Sequence, residues 1–210
     1  MKTIKVVSGE YQIENEIKRS RFIATAKGEV SQDEAEAFVK SIKKRYPDAT
    51  HNCYAYVADE LGNIARFSDD GEPSGTAGQP ILDVIKKQGL QKTAIVVTRY
   101  FGGIKLGAGG LVGAYSGAAA DVLKVAKILE KKECKMVFLR TDYSTFASVE
   151  KFFFKTECKP LEFEYGDEVS GEIVVPVDSV DEFVLSIKEL TSGKAEAKVL
   201  EEVFFEATGK

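Results

Sequence analysis

The chain has 210 residues, 44% of them hydrophobic and 30% charged, with a formal net charge of -4 and a single histidine. That length supports one large core or two small ones, since domains usually run to roughly 100 to 150 residues. A wholly electrostatic nucleic-acid binder is excluded by the net charge, and a membrane span by the lack of any apolar run near ~20 residues.

The opening residues put charge into their apolar stretch and lack the continuous hydrophobic segment of a secretory signal, so the expected location is the cytoplasm. Strands are predicted at 10–18 and 20–29, with Arg19, Ser20 and Arg21 near the turn between them. A helix follows over 31–46, capped by Ser31, with Glu34 at the capping-box position and Pro47 ending it. Strands are expected at 50–58 and 63–68. The turn-rich run SDDGEPSGTAGQP (68–80) leads to a helix over 80–89 with Pro80 near its first position. TAIVVTRYF (93–101) is almost continuously apolar and β-branched up to Arg99, as a strand covered on both faces requires. GGIKLGAGG then opens a helix of small residues over about 109–128.

The charged stretch KILEKKEC places a boundary near 128–133, giving domains over 1–130 and 131–210. Basic residues outnumber acidic ones 18 to 16 in the first and are outnumbered 11 to 17 in the second. The second domain reads as a strand over 134–144, a helix over 145–156 capped by Ser144 or Thr145, two strands around Gly166-Asp167, a helix over 179–190, and a strand over 199–207. The order βαββαβ is the split arrangement of ferredoxin-like domains. The fold class is therefore α/β (α+β). Phe152, Phe153, Phe154, Phe204 and Phe205 follow helix and strand periodicity and are expected in its core.

Three segments offer chemistry. In the first, the glycine-rich turn from Gly102 and Gly103 through Lys105 to Gly107 lies between a buried strand and a helix, where main-chain amides and the helix dipole hold anions. Arg99 and Lys105 flank it, and Lys18, Arg21 and Arg66 add positive charge. The turn matches neither GxxxxGK[ST] nor GxGxxG, so no nucleotide cofactor is implied. The same glycines also serve close packing of helix on sheet, helped by Ala108, Gly113, Ala114 and Gly117.

In the second, Asp69, Asp70 and Glu72 crowd a Gly/Pro-rich loop without the EF-hand spacing, and no metal is assigned. In the third, His51 and Cys53 point to one face of a strand, where a Cys/His nucleophile competes with ordinary packing. The three cysteines Cys53, Cys134 and Cys158 form neither a disulfide framework nor a zinc ribbon and read as reduced thiols.

SDDGEPSGTAGQPILDVI, IVVTRYFGGIKLGAGGLVGAY, KRSRFIA and HNCYAYV together resemble the signature of the YigZ/IMPACT family over roughly the whole first domain. The residues carrying the resemblance are Gly78, Ile81, Leu82, Arg99, Tyr100, Phe101, Gly102, Gly103, Leu106 and Gly107. It implies that the first domain has the fold of the second domain of ribosomal protein S five, and that the second is related in shape to a C-terminal domain of elongation factor G. It also implies an association with translation or nucleic acid.

The first functional reading is a translation-associated regulator or an RNA- or ribosome-binding protein. It would grip phosphates with Arg21, Arg66, Arg99, Gly102, Gly103, Lys105 and Gly107, and a protein partner in the translation machinery is also expected. The alternative is an enzyme acting on a small phosphorylated or peptide-like substrate. Its cleft would lie between 68–80 and 99–110, and His51, Asp69, Asp70 or Glu72 would serve as acid, base or metal ligand.

Overall fold

The computed structural model of the chain describes residues 2–206. It is a mixed α/β fold with two antiparallel sheets and five α-helices among the described residues. The described residues divide into two compact units, Ile4–Glu130 and residues 2–3 with 131–206. No helix among the described residues is long and apolar enough to cross a membrane.

The first unit holds β1 (Thr3–Val7, from Ile4 onward), β2 (Glu10–Ile17), β3 (Ser20–Gly28), α1 (Gln32–Arg45), β4 (His51–Val57), β5 (Ala65–Ser68), α2 (Gly78–Lys87), β6 (Thr93–Tyr100) and α3 (Gly107–Val125). β1 is a strand beyond those predicted from the sequence.

One sheet runs in the order β2-β3-β6-β4-β5, so the β-branched run of β6 lies at its centre. Both faces of β6 are covered, as the unbroken apolar pattern requires. Ala94 and Val96 meet Phe38 and Ile42 of α1 on one side. On the other, Ile95 and Val97 meet Ile81 and Ile85 of α2 and Tyr115, Ala118 and Val122 of α3. The α3 helix approaches through Ala114, Ala118 and Ala119, which are buried. A Cβ at Gly113 or Gly117 would meet nothing within 4 Å, so these two glycines are not packing devices.

Ser31 caps α1 with a complete capping box to Glu34. The α2 helix begins two residues before the expected start because its cap comes from a distance. Asp69 Oδ1 accepts from the amides of Ala77 at 3.0 Å and Gly78 at 2.8 Å. That satisfies donors which a helix beginning at Pro80 would not expose. The turn between β2 and β3 is two residues long, Lys18 at φ 47 and Arg19 at φ 65, both left-handed. This is the backbone a two-residue hairpin needs, here without a glycine.

The second unit contains most of β7 (Ile128–Thr141), then α4 (Tyr143–Phe153), β8 (Lys159–Tyr165), β9 (Val169–Pro176), α5 (Val180–Leu190) and β10 (Glu196–Glu206). The charged stretch expected to form a boundary is therefore extended strand. The last residue of the strand expected over 199–207 lies outside the described residues. In this sheet β9 pairs with both β7 and β8, and β10 pairs with β7, all antiparallel.

Val137, Leu139, Ile173 and Val175 face Phe146, Val149 and Phe153 of α4 and Phe183 and Ile187 of α5. The cap of α4 is Asp142, whose carboxylate accepts from the Thr145 amide at 2.8 Å, and not Ser144 or Thr145. Phe153 is buried as expected, but Phe154, the residue after the last helical one, is 87% exposed.

Candidate functional site: a buried polar cluster beneath an exposed turn

β3, β4 and β6 lie side by side, and their register sets Arg99 opposite Phe22 on one neighbour and His51 on the other. The 69–72 loop closes over that position. Glu72 is drawn inside: its Oε1 accepts from Arg99 Nη1 at 2.6 Å and from the Tyr115 hydroxyl at 2.8 Å. Arg99 Nη2 also donates to the Ser20 hydroxyl at 3.3 Å, and the guanidinium carbon lies 5.4 Å from the ring centres of both Phe22 and Phe101. Arg99 is 5% exposed, and its Nε has no hydrogen-bond partner among the described residues. A cation held this way faces inward. The expectation that Arg99 presents charge to a phosphate is corrected, because the β6 register turns it beneath the loop.

The acidic loop is spent on structure in the same way. Asp69 accepts from the amides of Gly75, Ala77 and Gly78. Burial raises its pKa, but these three backbone donors outweigh burial and hold it below the ordinary value. Asp70 accepts from Lys43 Nζ and the Asn52 amide. His51 Nδ1 lies 2.8 Å from the Asp70 carbonyl, which only accepts, so that nitrogen carries the proton; His51 Nε2 lies 3.9 Å from Glu72 Oε2.

Cys53 does share the face of His51, and its thiol donates to the Asp69 carbonyl. Burial pushes the Cys53 thiol up to about 12, against a lowering hydrogen bond from Tyr115 and with the loop carboxylates raising it further. Such a thiol is no nucleophile at neutral pH. Burial likewise raises the Tyr115 hydroxyl, with Cys53 and Glu72 adding to the effect. His51, Asp69, Asp70 and Glu72 are thus brought together, but each of the three carboxylates is already engaged by donors of the fold.

The turn beyond β6 is different. Only its first part is tied down: the Phe101 amide donates to the Thr50 hydroxyl and the Gly102 amide to Ser20. Gly102 is obligatory, since a Cβ there would lie 1.9 Å from the Arg19 carbonyl oxygen. That close approach sets the Lys18-Arg19 turn against the start of the glycine turn. From Gly103 onward the segment is exposed, Leu106 excepted, and α3 begins without a side-chain cap.

Lys105 has no ion pair among the described residues, and Lys18 and Arg19 are exposed in the hairpin turn that packs against Gly102. Arg21 is held by Glu14 at 2.6 and 2.8 Å and lies over Tyr100. Arg66 is elsewhere, in a groove between α1 and the β4-β5 edge with Lys40, Lys43 and Tyr54. Ser20, Tyr115 and Lys43 also belong to the cluster, beyond the site residues that the sequence suggests. The signal for Tyr115 was a large ring with a polar tip inside the small-residue run GGLVGAYSGAAA.

The fold and this cluster define an α/β protein whose first unit carries an internal ion pair beneath a basic, glycine-rich turn. The family model of the Impact N-terminal domain matches residues 18–123, which contain the whole cluster and both turns. The chain belongs to the IMPACT family. It is 40% identical to IMPACT family member YvyE of Bacillus subtilis over 95% of this chain and 91% of that protein. It is 35% identical to IMPACT family member YigZ of Escherichia coli over 89% of this chain and 93% of that protein. A crystal structure described as that of a hypothetical protein matches with a TM-score of 0.66 at 32% identity, covering 96% of this chain and 98% of the other.

Proposed function

We propose that this chain is a translation-associated protein that binds RNA, at the ribosome, through the exposed turns at one end of the first unit's sheet. The observation that carries the reading is the contact of Gly102 with Arg19, which joins two basic turns into one surface. That surface presents Lys18, Arg19 and Lys105, the free amides at the start of α3 and the half-exposed ring of Phe101. Amides and cations suit phosphate, and an exposed ring suits a base. The acidic balance of the second unit limits non-specific attraction and keeps the contact local.

Membership of the IMPACT family supports the link to translation. The same reading assigns the first domain, 1–130, the architecture of the second domain of ribosomal protein S five. It assigns the second, 131–210, a ferredoxin-like architecture resembling a C-terminal domain of elongation factor G, in keeping with the βαββαβ order.

The test is a titration of the full chain with single-stranded RNA, together with co-sedimentation with ribosomes at several salt concentrations. Lys18→Glu and Lys105→Glu should each remove about one phosphate's worth of salt dependence, and the double variant should leave the ribosome pellet. Binding that is absent, or unchanged in the double variant, overturns the proposal.

A further inference from the structure

Within the second unit, β8 is the terminal strand of its sheet: β9 pairs with one side of it, and no strand among the described residues pairs with the other. Beside that open edge lies a groove of about 340 Å³ between α4 and β8, lined by Phe146, Phe153, Phe154, Leu161, Phe163 and Tyr165. Three of these are exposed to water, Phe154 at 87%, Tyr165 at 63% and Leu161 at 37%. Contiguous apolar surface of this kind marks an interaction site more often than chance does.

Past the irregularity between Pro160 and Phe163, the side chains of β8 alternate. Phe163 and Tyr165 approach Phe146 on the helix side. Glu162 and Glu164 line the opposite face with Glu172. None of Glu150, Glu162, Glu164 and Glu172 has an ion pair among the described residues. Arg140, the nearby cation of β7, is already engaged by Glu168 and Glu196.

We propose that β8 is a docking edge for an extended, basic segment of a partner protein, which joins the sheet as a further strand. The alternation dictates the pattern the segment must carry. Its apolar residues enter the aromatic groove, and the lysines or arginines between them meet the carboxylates on the other face. Charge on an edge strand also guards against self-association. That role accounts for Glu162 and Glu164, but not for a phenylalanine left almost wholly in water beside a groove of other rings.

The experiment is an anisotropy titration of the full chain with a short labelled peptide alternating leucine with lysine. Controls are a peptide of the same composition with the two residues segregated and one alternating leucine with glutamate. The alternating basic peptide should bind with salt-sensitive affinity. Phe154→Ser, and separately Glu162→Lys with Glu164→Lys, should each weaken it about tenfold or more. All three positions are exposed, so the thermal melts of these variants should match the parent.

Equal binding of the segregated or glutamate peptide overturns the proposal, as does unchanged binding by both variants. So does a concentration-dependent dimer of the chain that Phe154→Ser abolishes, because the groove would then belong to a second copy.

Discussion

Glu72 Oε1 lies 2.6 Å from Arg99 Nη1, and both side chains are nearly sealed from water, at 4% and 6% exposure. The pair ties the loop after β5 to the central strand of the first sheet, with the Tyr115 hydroxyl as a third member. Removing one partner leaves the other charge buried and uncompensated. Glu72→Ala or Arg99→Ala should therefore cost about 3–5 kcal/mol in urea unfolding, whereas replacing both by methionine should recover most of the loss. On the proposed reading, any loss of RNA binding in Arg99→Ala should track unfolded protein and disappear under strongly stabilising conditions.

Glycines in the two signature segments divide by what surrounds them. A Cβ at Gly78 would stand 2.7 Å from the Ser68 carbonyl, and one at Gly102 would stand 1.9 Å from that of Arg19, both backbone atoms. Gly78→Ala and Gly102→Ala should each destabilise the first unit by about 2 kcal/mol or more. Gly109 and Gly113 lie within α3 with open space where the Cβ would go. Alanine at either should stabilise by up to about 1 kcal/mol, read as a raised melting temperature.

The three amides on Asp69 favour its ionised form in the folded chain, so its folded pKa lies below the ordinary 3.8. Its contribution is then fully present above the unfolded value and is lost as pH falls through the folded one. Asp69→Asn should flatten the acid limb of the stability profile and bring the start of α2 into exchange. Hydrogen exchange at Ala77 and Gly78, followed from neutral pH downward, reads this directly.

All three thiols are raised by burial, Cys53 to about 12. Cys53 and Cys134 are buried and Cys158 is partly so. In the native chain at mildly alkaline pH, Cys53 should resist alkylation, and urea should release rapid labelling. Peptide mapping after a short pulse of iodoacetamide distinguishes the three positions.

Much of the architecture is legible in the sequence because local signals agree. The capping box at Ser31, the β-branched run of β6 and the Gly166-Asp167 turn each specify their element without distant help. The start of α2 and the cap of α4 are harder, since Asp69 acts across several residues and Asp142 competes with two adjacent hydroxyls. Arg99 escapes sequence reasoning for a different reason. Strand periodicity gives its face, but only the fold of the 69–72 loop decides whether that face meets water. Phe154 fits a helical period that ends one residue before it, so only the helix terminus reveals that it is exposed.

Lys18 and Arg19 occupy left-handed backbone that asparagine and glycine adopt more comfortably, by about 1–2 kcal/mol per residue. A hairpin selected for its own sake would drop both cations. Keeping them accepts backbone strain in return for exposed positive charge, and, on the proposed reading, Lys18→Asn with Arg19→Gly should yield a sturdier hairpin with weaker affinity for RNA.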